Sequence, residues 1–111
     1  MLLVDFLQIR PLSINIGIQI QLSKKYTSLT NDVRHLQTEL LENPTMGESL
    51  GKNRYKVRLK ITSKGKGKSG GARVITYVEI HNDALYLLTM YDKSDIENVN
   101  DAYLDDLVKK L

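Results

Sequence analysis

The sequence predicts an α+β fold: helices packed on a small antiparallel β-sheet, closed by a C-terminal helix. Three observations carry this expectation. Tyr55, Val57, Leu59 and Ile61 alternate with Arg54, Lys56, Arg58 and Lys60, the period-two pattern of a strand with one buried face. Two further β-rich runs, residues 72–80 and 84–91, follow closely enough to form successive hairpins, an antiparallel meander. By contrast, Leu29, Val33, Leu36 and Leu40 fall at i, i+4, i+7 and i+11, one stripe of a helix. Strands that run together with helices set apart from them give a helical layer on an antiparallel sheet.

Residues 1–22 admit two readings. Residues 2–9 suit a strand that Pro11 ends. Ile14, Ile16, Ile18, Ile20 and Leu22 then alternate with Asn15, Gly17, Gln19 and Gln21, so residues 13–22 read as a strand taken alone. Residues 28–43 read as a helix, with Thr27, Ser28 and Thr30 offering caps and Asn43-Pro44 stopping it. Residues 44–52 read as a loop and 53–62 as a strand, which places four cations about 6.6 Å apart on one side. Residues 63–71 form a charged loop, Lys64-Gly65-Lys66-Gly67-Lys68-Ser69-Gly70-Gly71 being the low-complexity part. His81-Asn82-Asp83 makes the turn between the last two strands. Residues 95–110 read as a helix, with Ser94-x-x-Glu97 as capping box and Ile96, Val99, Tyr103, Leu107 and Val108 as the apolar stripe.

The 111 residues, 41% hydrophobic and 26% charged, suit one globular domain over 1–111. No cysteine is present, which excludes disulfide frameworks, cysteine zinc sites and thiol catalysis. No apolar run is long enough to span a bilayer, and Asp5 interrupts Met1-Leu2-Leu3-Val4 without a basic region before it, so a cytoplasmic protein without a signal peptide is expected. The formal net charge of +3 hides an uneven distribution. Residues 52–73 hold nine of the sixteen basic groups and no acid; the rest of the chain carries seven basic against thirteen acidic groups. An acidic body with one basic segment attracts a polyanion, and nucleic acid is the commonest in a cell.

Other chemistry is poorly served. Gly67-Lys68-Ser69 resembles the end of a phosphate-binding loop, but Thr62 stands where that motif needs glycine, and a strand follows where it needs a helix. His35 and His81 read as surface residues with no metal-ligand spacing around them, and neither a metal nor another cofactor is expected. Asp92, Asp95, Glu97, Asp101, Asp105 and Asp106 read mostly as a solvated helix face. The basic strand face remains. Like charges at that spacing repel, so the row of Arg54, Lys56, Arg58 and Lys60 implies a bound anion or a plain solvated face. Lys64, Lys66 and Lys68 add cations beside it, and Arg73 opens the neighbouring strand. Tyr91 and Lys93 emerge at the end of the third strand, Tyr91 as a base-stacking platform or a core aromatic.

Tyr55-Lys56-Val57-Arg58-Leu59, Gly71-Ala72-Arg73-Val74-Ile75-Thr76-Tyr77-Val78 and Leu85-Tyr86-Leu87-Leu88-Thr89-Met90-Tyr91-Asp92-Lys93-Ser94 resemble the core of the RelE/ParE toxin superfamily, in particular the RelE/HigB-type toxins of bacterial type II toxin–antitoxin modules. Leu41-Glu42-Asn43-Pro44-x-x-Gly47-x-x-Leu50-Gly51 resembles the helix end and loop before that core, and the resemblance covers about residues 22–110. It implies a RelE-like βααβββ fold and a toxin that enters the ribosomal A site and cuts mRNA there. The family's basic strand pair matches Lys56 and Arg58, its phosphate-binding arginine Arg73, and its basic residue after the last core strand Lys93. Its C-terminal stacking tyrosine has no match, Val99 lying nearest, and Tyr91 is the candidate substitute. Residues 10–22 depart from the family pattern, which has a helix where the alternation reads as a strand.

The resemblance also assigns roles. Metal-independent RNA cleavage uses the 2′-hydroxyl as nucleophile on its own phosphate, so it needs a base, an acid and a cation for the phosphorane charge. Lys56 is the expected base, its basicity lowered by the crowd of Arg54, Arg58 and Lys60. Arg58 and Arg73 are the expected phosphate and transition-state stabilisers, and Lys93 the acid or leaving-group orienter. Arg54, Lys60, Lys64, Lys66, Lys68 and Tyr91 are expected to bind RNA. The implied partners are a cognate antitoxin protein, the ribosome and mRNA; no membrane and no small-molecule ligand are expected. Two other readings stay open: a ParE-like inhibitor of DNA gyrase, and a nucleic-acid-binding module without catalysis.

Overall fold

The computed structural model describes residues 8–11, 26–64, 71–79, 84–93 and 99–111. In chain order these form β1 (Gln8–Pro11), α1 (Leu29–Glu42), β2 (Glu48–Gly51), β3 (Arg54–Leu59), a 3-10 turn (Thr62–Lys64), β4 (Ala72–Glu79), β5 (Ala84–Asp92) and α2 (Asp101–Lys109). The five strands make one sheet in the order β1-β5-β4-β3-β2. β3, β4 and β5 are antiparallel neighbours, as the meander pattern predicts; β2 adds to β3 antiparallel, and β1 joins β5 in parallel at the edge. The alternating isoleucines of residues 13–22, the lysine-glycine stretch at 65–70, the turn at 81–83 and the segment 94–98 lie outside the described residues.

The helix stripe is borne out: Leu29, Val33, Leu36 and Leu40 are all buried. They pack on Val57, Leu59, Val74, Val78, Leu85, Leu87 and Met90, which face α1 from three adjacent strands. Asn43 closes the helix, its amide donating to the Glu39 carbonyl at 2.9 Å. Ser28 occupies the N-cap position, but its hydroxyl donates to the Asp32 carboxylate at 2.7 Å rather than capping the backbone. Asp32 also accepts from the Thr62 amide (2.9 Å) and hydroxyl (2.6 Å). That pull ends β3 at Leu59, short of the predicted residue 62; Ile61 turns into the core and a 3-10 turn follows.

Two expectations are corrected. Residues 44–52 are not all loop, because β2 pairs with β3 through the hairpin at Lys52-Asn53. Both turn residues have positive φ, 55° and 63°, the left-handed geometry that matches strand twist in a two-residue hairpin. Gly47 at φ 99° leads into β2, and a Cβ there would stand 2.5 Å from the Lys56 carbonyl oxygen. The C-terminal helix starts at Asp101, not Asp95. Asn100 is extended (φ −81°, ψ 156°), and its side chain accepts from the Tyr103 amide at 2.8 Å, so this asparagine caps the helix. Leu104 and Leu107 are its buried residues, whereas Tyr103 of the predicted stripe is exposed.

α2 lies on the opposite sheet face from α1. There Leu104 and Leu107 pack with Ile75, Leu88 and Tyr91, flanked by the stacked cross-strand pair Tyr77–Tyr86, whose ring centroids are 6.1 Å apart. Among the described residues, no helix is long and apolar enough to cross a membrane. Leu36→Ala, which hollows the α1 face, should cost about 2–5 kcal/mol, and Asn100→Ala about 1 kcal/mol. Urea denaturation with unchanged m-values checks this ranking; equal losses would show that Asn100 does more than cap a short helix.

Candidate nucleic-acid interface

The strand register decides which basic groups stand together. In the β3–β4 ladder Arg58 lies directly opposite Arg73, and in the β4–β5 ladder Arg73 lies opposite Tyr91. Directly opposed residues share a face. Arg58, Arg73 and Tyr91 therefore form one row across three strands, on the face that carries α2. Arg58 is exposed. Arg73 is 5% exposed, with Nη1 donating to the Ala72 carbonyl at 3.1 Å. Lys93 follows β5 directly, exposed, its amide donating to the Gly71 carbonyl at 3.2 Å. The structure thus brings Arg58, Arg73, Tyr91 and Lys93 to one end of the sheet.

The predicted row of four strand cations is divided by its partners. Arg54 is buried beneath α2, Nη2 donating to Asp105 Oδ1 at 2.5 Å, and Lys52 reaches the same carboxylate at 3.3 Å. Lys56 is half-buried and pairs with Glu48 at 3.1 Å. Lys60 has left the strand and acts electrostatically on Asp32. The cationic crowding that was to lower the basicity of Lys56 is replaced by an adjacent anion. Neither Glu48 nor Asp105 stood out in the sequence as belonging to this face. Their signal lies in the hairpin register, which sets Glu48 opposite Lys56.

Tyr91 is not an open stacking platform. Its ring is 5% exposed within the apolar cluster beneath α2, and its buried hydroxyl has no hydrogen-bond partner among the described residues. Lys64 belongs to the 3-10 turn, with its side chain outside the described set, and Lys66 and Lys68 lie outside it altogether. Among the described residues no group of three or more His, Asp or Glu side chains is placed to hold a metal ion.

Two supports hold this end of the sheet. The Tyr26 hydroxyl donates to Asp92 Oδ2 at 2.5 Å, tying the approach to α1 to the last residue of β5. Asp92 is 1% exposed, directly between Tyr91 and Lys93. On the outer side, β2 pairs with β3 only as far as Lys56. Beyond it a groove of about 330 Å³ runs between α1 and the end of β3, lined by Asp32, His35, Leu36, Glu39, Arg58, Leu59, Lys60 and Thr62. Burial raises the Asp32 pKa, but hydrogen bonds from Thr62 and Ser28 and the nearby Lys60 outweigh it and hold the group below the ordinary 3.8.

No known family model matches the sequence. The fold matches that of the isolated E. coli RelE toxin with a TM-score of 0.60 at 14% identity, over 94% of this chain and 98% of that one. A double mutant of E. coli RelE in the free state matches with a TM-score of 0.53 at 15% identity, over 96% of each chain. The chain has the RelE-type fold.

Hydrogen bonds from Arg54 first, then Lys52, hold the Asp105 pKa below 3.8. A carboxylate depressed in the folded state adds stability above its unfolded pKa, and that stability is lost as pH falls through the folded value. Asp105→Asn should therefore melt lower than the parent near neutral pH. The gap should close as pH drops below 3.8, read by thermal melts across that range. Tyr26→Phe removes a donor from a buried carboxylate and should cost about 1–3 kcal/mol; an unchanged melting temperature would show that Asp92 does not depend on it.

Proposed function

We propose that this chain is the toxin of a type II toxin–antitoxin module and stops translation by cutting ribosome-bound mRNA. The cross-strand row of Arg58 and Arg73 carries the reading, with Lys93 beside it at the open end of a RelE-type sheet. Two guanidiniums on facing strands suit one phosphate, because each offers a planar fork of donors to its oxygens. An arginine held almost wholly out of water by β4 keeps its orientation as charge develops, which is what transition-state stabilisation requires.

In the proposed reaction the ribose 2′-oxygen attacks the adjacent phosphorus and the bond to the 5′-oxygen breaks. The products are a 2′,3′-cyclic phosphate and a free 5′-hydroxyl. Arg58 and Arg73 hold the non-bridging oxygens. The 2′-hydroxyl proton passes to Lys56, through the pair that its ammonium makes with the Glu48 carboxylate at 3.1 Å. Lys93 supplies the proton that the 5′-oxygen takes as it leaves. Lys60 and the loop cations Lys64, Lys66 and Lys68 steer the polyanion, and Arg54 joins them where α2 is displaced. A cognate antitoxin with an acidic or amphipathic segment covers this face, and the toxin acts in the cytoplasm, on the ribosome.

Induced expression of the parent beside Arg73→Ala, with primer extension on a translated mRNA, tests the proposal. Growth arrest with cuts that need translation, both reduced about 10²–10³-fold in the variant, is the expected result. Circular dichroism of purified Arg73→Ala guards against simple unfolding, and Arg58→Ala, at an exposed position, should show the same loss. Arrest without cuts would point to gyrase inhibition instead. Soluble protein without arrest would leave a nucleic-acid-binding module or an inactive relic.

A further inference from the structure

At the far end of the α2 face, away from the arginine row, lies a second and smaller pocket. It holds about 220 Å³ and is lined by Tyr77, Glu79, Tyr86, Val108 and Leu111. Tyr77 and Glu79 stand two residues apart on β4, and Tyr86 lies directly opposite Tyr77 on β5, so the three share a face. The two rings are stacked, 25° from parallel with centroids 6.1 Å apart, and both are half-buried. Glu79 is half-buried beside them. The end of α2 closes the pocket through Val108 and the exposed Leu111. Among the described residues no basic side chain lines it. Arg54, opposite Tyr77 on the β3 side, and Lys52 are both committed to Asp105, and Lys110 to Asp106. Four positions of β4 separate Tyr77 from Arg73, about 13 Å of strand, so the pocket is distinct from the phosphate row.

We propose that this pocket binds an alkylguanidinium, the head group of arginine. A carboxylate beside two aromatic rings selects a cation: Glu79 supplies the charge and the negative ring faces add to it. Planarity selects a guanidinium over an ammonium. A flat guanidinium stacks on a tyrosine face while its fork of N–H donors meets a carboxylate, whereas an ammonium is a compact, strongly hydrated point charge. The size agrees. A volume of 220 Å³ falls below the roughly 300–1,000 Å³ of sites for drug-sized ligands. It takes a guanidinium and part of its methylene stem, which leaves past Val108 and Leu111. Both tyrosines also pack against the apolar cluster beneath α2, so the rings are fixed before the guest arrives and little ordering is lost on binding. The assignment stands apart from the nuclease reading, because no residue of the pocket belongs to the proposed cleavage machinery.

Titration of the purified chain with ethylguanidinium, followed by amide and tyrosine-ring NMR, tests the site. Resonances of Tyr77, Glu79, Tyr86, Val108 and Leu111 should shift with a Kd of about 1 mM, and butylammonium should bind about tenfold more weakly. Glu79→Gln should weaken ethylguanidinium binding about tenfold while the amide spectrum keeps its dispersion. Tyr86→Leu, which leaves the carboxylate in place, should weaken it as well. No shift of these resonances, equal binding of butylammonium, or affinity that survives both substitutions would overturn the site. Two further ligands identify the source of the guanidinium. Tighter binding of N-acetylarginine methylamide than of agmatine supports an arginine residue of a protein chain; the reverse order supports a free small guanidine.

Discussion

The sheet is longer than the helix that covers its second face, and the rest of the molecule follows from this mismatch. β4 and β5 have eight and nine residues, so they run about 26–30 Å. α2 has nine residues, about 13 Å of helix. However it is laid across the strands, it cannot cover their full length. Where it does cover them, Ile75, Leu88 and the ring of Tyr91 meet Leu104 and Leu107 and the surface is a core. Arg58 and Lys93 stand exposed at that end, whereas Arg73, opposite Tyr91, is itself buried. The fourteen-residue α1, about 21 Å long, packs on the other face, which is apolar from Val57 to Met90.

A second consequence concerns charge. The basic segment and the acidic body are folded against each other rather than left as separate fields. Asp105 takes up Arg54 and Lys52, Glu48 takes up Lys56, and Asp32 holds the chain just past Lys60 through Thr62. Each pairing sits on the flank of the row rather than in it. Coulomb repulsion between close cations is relieved there. Arg54 shows what burial adds: its guanidinium is tied to Asp105, yet its Nε has no acceptor among the described residues. Such a group is costly to keep dry and holds α2 less firmly than an apolar residue of the same size.

Much of this was legible in the residues. The leucine stripe of α1 and the alternation of β3 each commit one face to the core, and a shift by a single residue would put Arg58 inside. β2 was missed because Lys52-Asn53 lacks the glycine that usually marks a two-residue hairpin, so the left-handed turn was invisible. The start of α2 was misplaced because the capping box was sought at Ser94-x-x-Glu97, outside the described residues, while Asn100, a lone asparagine, caps the helix. Burial was the least legible quantity. Arg58 and Arg73 look alike in the sequence, yet one is an outer-strand cation and the other lies in a strand flanked on both sides. Tyr91 likewise reads as platform or core until Leu104 and Leu107 are seen on its ring.

The parallel pairing of β1 with β5 bears on when the protein comes into being. Gln8 pairs with Ala84, 76 positions further along the chain. Its partner strand is the last one made. At about 5–20 residues per second a ribosome needs roughly 4–15 s to cover that distance, and during that time the amino-terminal strand has no place in the sheet. The same delay applies to the row on the other face, since β5 supplies its third member. The sheet of a nascent chain is therefore completed only as the final strand and the short closing helix emerge.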